Sequence, residues 1–69
     1  MAEYTAIVKQ DGEWWIGWIE ELAGVNSQGR SKEELLSNLK SALAEAIELN
    51  REEALEAAVG DYDEVKIAV

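Results

Sequence analysis

The stretch YTAIVKQDGEWWIGWIE, residues 4–20, decides the fold. Two segments rich in β-branched and aromatic residues, 4–9 and 13–20, flank an Asp-Gly pair. Asp-Gly in that setting is the strongest short-range hairpin signal, because both central residues of a type I′ turn adopt a positive φ. We therefore predict a β-hairpin with Asp11 and Gly12 as its two-residue loop.

This loop fixes which residues share a face of the hairpin, because side chains alternate along a strand. One predicted face contains Tyr4 opposite Ile19, Ala6 opposite Gly17 and Val8 opposite Trp15. The other contains Thr5 opposite Trp18, Ile7 opposite Ile16 and Lys9 opposite Trp14. Both faces are largely apolar, whereas one amphipathic helix covers only one of them.

The small residues indicate which face the helix covers. Glycine inside a strand suggests close backbone approach, and Gly17 is predicted to lie beside Ala6. We assign that face to the core and call the opposite apolar set, Ile7, Trp14, Ile16 and Trp18, the tryptophan face. Exposed apolar patches mark interaction sites, and tryptophan is enriched among residues that dominate binding energy. The predicted protein interface consists of Ile7, Trp14, Ile16, Trp18 and Glu20. The alternative is that the faces are reversed and these tryptophans belong to the core.

The rest of the chain predicts one more strand, a long helix and a last strand. Residues 25–28 form a short third strand, and Ser31 with Glu34 fits the S-x-x-E capping box that begins a helix. An apolar stripe then recurs at three- and four-residue spacing: Leu35, Leu36, Leu39, Ala42, Leu43, Ala46 and Ile47. We predict a bend or break near Asn50, and a fourth strand over residues 62–69.

These elements predict an α+β fold in a single domain, residues 1–69. The order is β-β-β-α-β, with three strands in an antiparallel meander and one long helix packed on one face. The fourth strand runs parallel to the first, which gives the sheet order 3-2-1-4. The short third strand would then lie at an edge, where it limits pairing with other chains.

Length and composition make self-association the expected means of stabilisation. A chain of 69 residues buries a small core and is marginally stable on its own. Small domains add disulfides, metals or subunits, but the sequence has no Cys and no His. We therefore expect a homodimer or a higher homo-oligomer.

The charge balance favours protein partners over nucleic acid. Fifteen acidic and six basic residues give a formal net charge of −9. Binding to a phosphate backbone requires Lys and Arg, so we expect no direct contact with nucleic acid. The negative charge is consistent with long-range attraction to a basic protein. The alternative interpretation is that the acidic surface only makes the protein soluble. Residues 1–20 lack a signal-peptide pattern, and no apolar run is long enough for a membrane span, so we expect a soluble cytoplasmic protein.

Residue patterns that carry catalysis are missing from the sequence. The carboxylates lack calcium-loop spacing, and there is no glycine-rich phosphate loop and no Cys/His or Ser/His arrangement. We interpret them as a solvated acidic surface. The prediction is therefore no enzyme, no cofactor and no metal site.

The ordered series of segments resembles the HicB-type antitoxins over essentially the whole chain. The segments are YTAIVKQDGEWWIGWIEEL, AGVNSQG, SKEELLSNLKSALAEAIEL and VKIAV, at residues 4–22, 23–29, 31–49 and 65–69. The family commonly has Pro-Gly where this chain has Ala23-Gly24, which removes a rigid φ from the turn.

The resemblance implies a reduced RNase H-like fold without RNase H activity. It also implies a function: neutralisation, by protein–protein contact, of a small basic HicA-type toxin that cleaves mRNA. Many members add a C-terminal DNA-binding segment, and this sequence ends at Val69, so we expect a short form without operator binding. The alternative function is a stand-alone, self-assembling interaction domain without a toxin partner.

Overall fold

A computed structural model describes residues 3–68 of the chain. It contains three strands, β1 (Ala6–Asp11), β2 (Trp14–Ile19) and β3 (Asn26–Gly29), and one helix, α1 (Lys32–Ala57). The strands form one antiparallel sheet in the order β1-β2-β3. Helix α1 packs on one face of this sheet and lies mainly over β3 and β2.

The hairpin forms, but its loop lies one residue further along than predicted. Asp11 pairs with Trp14, so the two central residues of the loop are Gly12 and Glu13. Gly12 has a φ of +62°, whereas no non-glycine residue of the described chain has a positive φ. A positive φ at the first central residue alone is the pattern of a type II′ turn, which favours glycine there. The predicted type I′ loop is therefore wrong.

The displaced loop shifts the register without exchanging the faces. Val8 pairs with Gly17 instead of Trp15, and Ile7 pairs with Trp18 instead of Ile16. Each pair is shifted by two residues. Because side chains alternate with a period of two, this shift leaves every side chain on its predicted face.

The core lies between α1 and the face of the sheet that contains Gly17. The buried apolar residues of the described chain are Ile19, Val25, Leu35 and Leu39, of which the two leucines are fully buried. Partly buried side chains surround them: Ala6, Val8, Trp15, Leu22, Ala42, Leu43 and Ala46. The predicted assignment of the helix to this face is confirmed.

Two glycines allow α1 to approach the sheet closely. A Cβ atom on Gly17 would lie 2.8 Å from the carbonyl oxygen of Ile7 and 3.2 Å from side-chain atoms of Leu35 and Leu39. A Cβ atom on Gly29 would lie 2.6 Å from the backbone nitrogen of Leu35. Both distances to backbone atoms are too short for a real side chain, so the helix packs where the sheet lacks side chains.

Helix α1 begins as predicted but does not break. The Ser31 hydroxyl accepts a hydrogen bond from the N–H of Glu34 at 3.1 Å, which confirms the N-cap. The helix then runs through Asn50 to Ala57, so the predicted break is wrong. Residues 51–58 contain Ala, Leu, Glu and Arg, whose helix propensities outweigh the small cost of one Asn. At 1.5 Å per residue α1 is about 39 Å long, against about 20 Å for a six-residue strand, so its C-terminal end extends beyond the sheet.

The predicted fourth strand is wrong over the part of it that the structure describes. Residues 62–68 form neither helix nor strand, and Val69 lies outside the described residues. The sheet order 3-2-1-4 is therefore replaced by β1-β2-β3. The unbroken helix ends beyond the sheet, and the chain after it lies beside α1 instead of β1. Glu64 approaches Arg51 there, at 3.8 Å between exposed side chains.

Candidate protein-interaction face

The tryptophan face is the side of the sheet that α1 does not cover. Ile7, Trp14 and Trp18 are exposed to 36 %, 38 % and 41 %, and Ile16 is half-buried by its neighbours. Cross-strand pairing arranges the face in rows, because directly paired residues point to the same side. Ile7, Trp18 and Asn26 form one row, and Lys9, Ile16 and Gln28 form the next. The predicted interface residues thus form one continuous surface.

Arg30 completes a third row that the sequence analysis missed. Its guanidinium carbon lies 4.9 Å from the centre of the Trp14 ring, a cation–π contact. Trp14 in turn pairs with Asp11 across the hairpin. The signal in the sequence was the alternation of β3: Asn26 and Gln28 face this side, and two residues further on comes Arg30.

Charged residues of both signs surround the apolar centre. Lys9 and Asp11 lie on β1, in the rows of Ile16 and Trp14. Glu20 follows β2 directly, and its N–H donates to the carbonyl of Thr5 at 2.9 Å, so the pairing continues one step beyond the strand. Lys9, Asp11, Glu20 and Arg30 are all exposed, and we call these four residues the rim.

The rim has no formal net charge, although the chain is strongly acidic. Two of the six basic residues and two of the fifteen acidic residues lie on it. The remaining surface therefore carries the whole formal charge of −9. Helix α1 carries −4 of this charge, because its seven acidic residues outnumber its three basic ones: Glu33, Glu34, Glu45, Glu48, Glu52, Glu53 and Glu56 against Lys32, Lys40 and Arg51.

A side-chain hydrogen bond fixes the open end of the hairpin beside Glu20. The backbone N–H of Thr5 donates to Oε1 of Glu21 at 2.7 Å. This hydrogen bond stabilises the ionised carboxylate and lowers the pKa of Glu21 below its ordinary value. The carboxylate thus has a structural role, because it holds the segment before β1 against the turn after β2.

The described carboxylates do not converge on a metal site. Within residues 3–68, no group of three or more acidic side chains is arranged to hold a metal ion.

None of the helices in that part of the chain is both long enough and apolar enough to cross a membrane.

Comparison of the chain with protein-family models, with curated proteins and with solved structures finds no match. The resemblance to HicB-type antitoxins therefore stays a prediction. What the structure itself defines is a three-stranded sheet with one helix-covered face and one exposed aromatic face.

Proposed function

We propose that the chain is a protein-binding module of the antitoxin type, which neutralises a small basic mRNA-cleaving toxin by contact. The observation that carries the proposal is the uneven charge of its surface. The tryptophan face and its rim are formally neutral, and the other surfaces carry the charge of −9. Such a field attracts a basic protein from a distance and raises its association rate.

Helix α1 offers the acidic surface for this contact. Glu45 and Glu48 are exposed, one helical turn apart, in the part of α1 that extends toward and beyond the edge of the sheet. If a basic protein binds here, the carboxylates of α1 contact the same basic residues with which that protein holds RNA. Because the toxin's substrate is mRNA, the proposal places the chain in the cytoplasm.

Inhibition of RNA cleavage tests the proposal. Purified HicA-type toxin from the same genome is assayed on mRNA with increasing amounts of this chain. We expect complete inhibition at a 1:1 ratio, and weaker association at 500 mM than at 50 mM salt, because salt screens opposite charges. Undiminished cleavage in the presence of excess chain would contradict the proposal.

Two charge-reversed variants locate the contact. Glu45→Lys with Glu48→Lys on α1 and Asp61→Lys with Asp63→Lys after it both change the net charge from −9 to −5. We expect the association rate to fall by about tenfold or more for the helix variant, and less for the control. Equal losses would indicate attraction by net charge without a contact on α1.

The second candidate function is an interaction domain that assembles with itself and has no toxin partner. The exposed tryptophan face favours it, because this surface does not require a charged partner. A genome without a neighbouring reading frame for a small basic protein would favour this candidate over the first.

A further inference from the structure

We propose that the tryptophan face binds the tryptophan face of a second copy of this chain. We infer that the partner is a second copy from the way charge is distributed over the surface of the chain. Two molecules of charge −9 repel each other over most of their surfaces, whereas the tryptophan face with its rim is formally neutral. Two copies therefore approach each other at this face with the least repulsion.

The rim is suited to a two-fold symmetric contact. In such a contact the same patch is used by both copies, so each cation can meet an anion of the other copy. Lys9 and Arg30 supply the cations, and Asp11 and Glu20 supply the anions. A strongly basic partner would find no excess of negative charge here, and it is attracted to α1 instead.

The composition of the face is typical of interface centres. Tryptophan and arginine are enriched there, and Arg30 is already held over Trp14 at 4.9 Å in the single chain. A tryptophan side chain offers about 150–250 Å² for burial, so roughly 60–100 Å² of each exposed indole is still in water. Covering Trp14 and Trp18 in both copies removes four such surfaces from water.

The size of the face predicts a dimer of moderate affinity. Two strands of six residues and one of four, about 4.8 Å apart, have a projected area of about 250 Å². Protruding side chains make the contact area larger than the projected area. Two stacked faces therefore bury about 1,000 Å² in total, near the lower limit for specific interfaces. An interface at this limit is typical of transient association, so we expect the dimer to dissociate on dilution.

The change of affinity with salt concentration distinguishes this contact from binding to a basic protein. Salt screens the repulsion between two acidic copies, and it also weakens the exposed rim pairs, which contribute little, so the dimer should become tighter as ionic strength rises. The toxin complex should become weaker under the same change. The inference does not depend on a toxin, and its test uses the protein alone, so either proposal can fail without the other.

Sedimentation velocity at 25 mM and 500 mM salt provides the measurement, with the full chain at 1–100 µM. We expect dimerisation that is at least about tenfold tighter at the higher salt concentration. A protein that is monomeric at 100 µM in both salts would overturn the proposal. So would a dimer that weakens as salt is added.

Matched variants locate the interface. Trp18→Glu places a charge in the centre of the face, and we expect a monomer at both salt concentrations. Leu36→Glu adds the same charge on α1 at a residue with the same exposure, 41 %, and should dimerise like the wild type. Ile7→Thr keeps a β-branched side chain in β1 and should weaken the dimer by about tenfold, which provides a second test if Trp18→Glu does not fold. A dimer unaffected by both face variants would place the contact elsewhere.

Discussion

The two faces of the sheet belong to the same hairpin, yet only one of them is covered by α1. The covered face has glycine at its centre, and the bodies of Leu35 and Leu39 occupy the space above Gly17. The tryptophan face has large side chains at the equivalent positions, with Trp18 and Ile16 flanking Gly17 along β2. A helix packs closely only where the sheet lacks bulky side chains. The covered face is therefore determined by the small side chains at its centre, and not by hydrophobicity alone.

The same difference separates stability from recognition. On the covered face, burial of Ile19, Leu35 and Leu39 stabilises the single chain. On the tryptophan face, the indoles contribute little to a single chain and are available to another one. The comparison therefore predicts that substitutions of similar chemistry have unequal effects on the two faces.

The largest expected difference is between Ile19→Ala and Ile7→Ala. Ile19 is 5 % exposed within the core, so its truncation should lower the free energy of unfolding by about 2–5 kcal/mol. Ile7 lies on the tryptophan face, and at low chain concentration its truncation should cost about 1 kcal/mol or less. Denaturant unfolding followed by tryptophan fluorescence measures both values.

Chain concentration sharpens this test. If a second copy covers the tryptophan face, the cost of Ile7→Ala rises with concentration, because association adds to the stability of the wild type. The cost of Ile19→Ala should stay nearly constant over the same range. Equal costs for the two variants in dilute solution would mean that the faces do not differ as described.

A smaller effect on stability is expected at Gly29, where close approach of the two backbones, not side-chain volume, holds α1 on the sheet. Gly29→Ala adds a Cβ atom 2.6 Å from the backbone nitrogen of Leu35, which forces the first turn of the helix away from β3. We expect the free energy of unfolding to fall by about 1–3 kcal/mol. Gln28→Ala, the adjacent residue on the other face, is exposed and should change it by about 0.5 kcal/mol or less. A neutral Gly29→Ala would show that α1 has freedom to shift.

Local patterns in the sequence were sufficient for the faces and for the beginning of the helix. Alternation along the hairpin assigned each side chain to a face, and a two-residue error in register did not alter it. The pair Ser31 and Glu34 identified the N-cap because capping is a contact between residues three apart. Gly17 identified the covered face because a glycine in a strand leaves room for a neighbour.

Features that depend on distant residues were not predictable in this way. The segment 62–68 has β-forming residues, but strand propensity depends on a neighbouring edge, and an unbroken α1 carries the chain away from β1. The course of α1 through Asn50, by contrast, was a local feature that was misjudged, because the summed helix propensity of residues 51–58 outweighs the cost of one Asn. Alternation along β3 was enough to place Arg30 on the tryptophan face, but its contact with Trp14 requires the β2–β3 register, which a weakly patterned third strand does not reveal.

The smallest expected effect concerns the open end of the hairpin, where the two faces meet. The Thr5 N–H holds the pKa of Glu21 below its ordinary value in the folded chain, so the unfolded chain takes up the proton at a higher pH. This contribution to stability is therefore complete above the ordinary pKa, 4.5, and is lost as the pH falls through the lower folded value. Melting temperatures of wild type and Glu21→Gln should differ at pH 7 and converge at acidic pH.

A control separates this hydrogen bond from the general effect of net charge. Glu13→Gln removes the same charge from the turn at the other end of the hairpin, and it corrects for reduced self-repulsion. The difference between the two variants should therefore decrease as the pH falls below 4.5. A difference that stays constant with pH would mean that Glu21 does not hold Thr5 in solution.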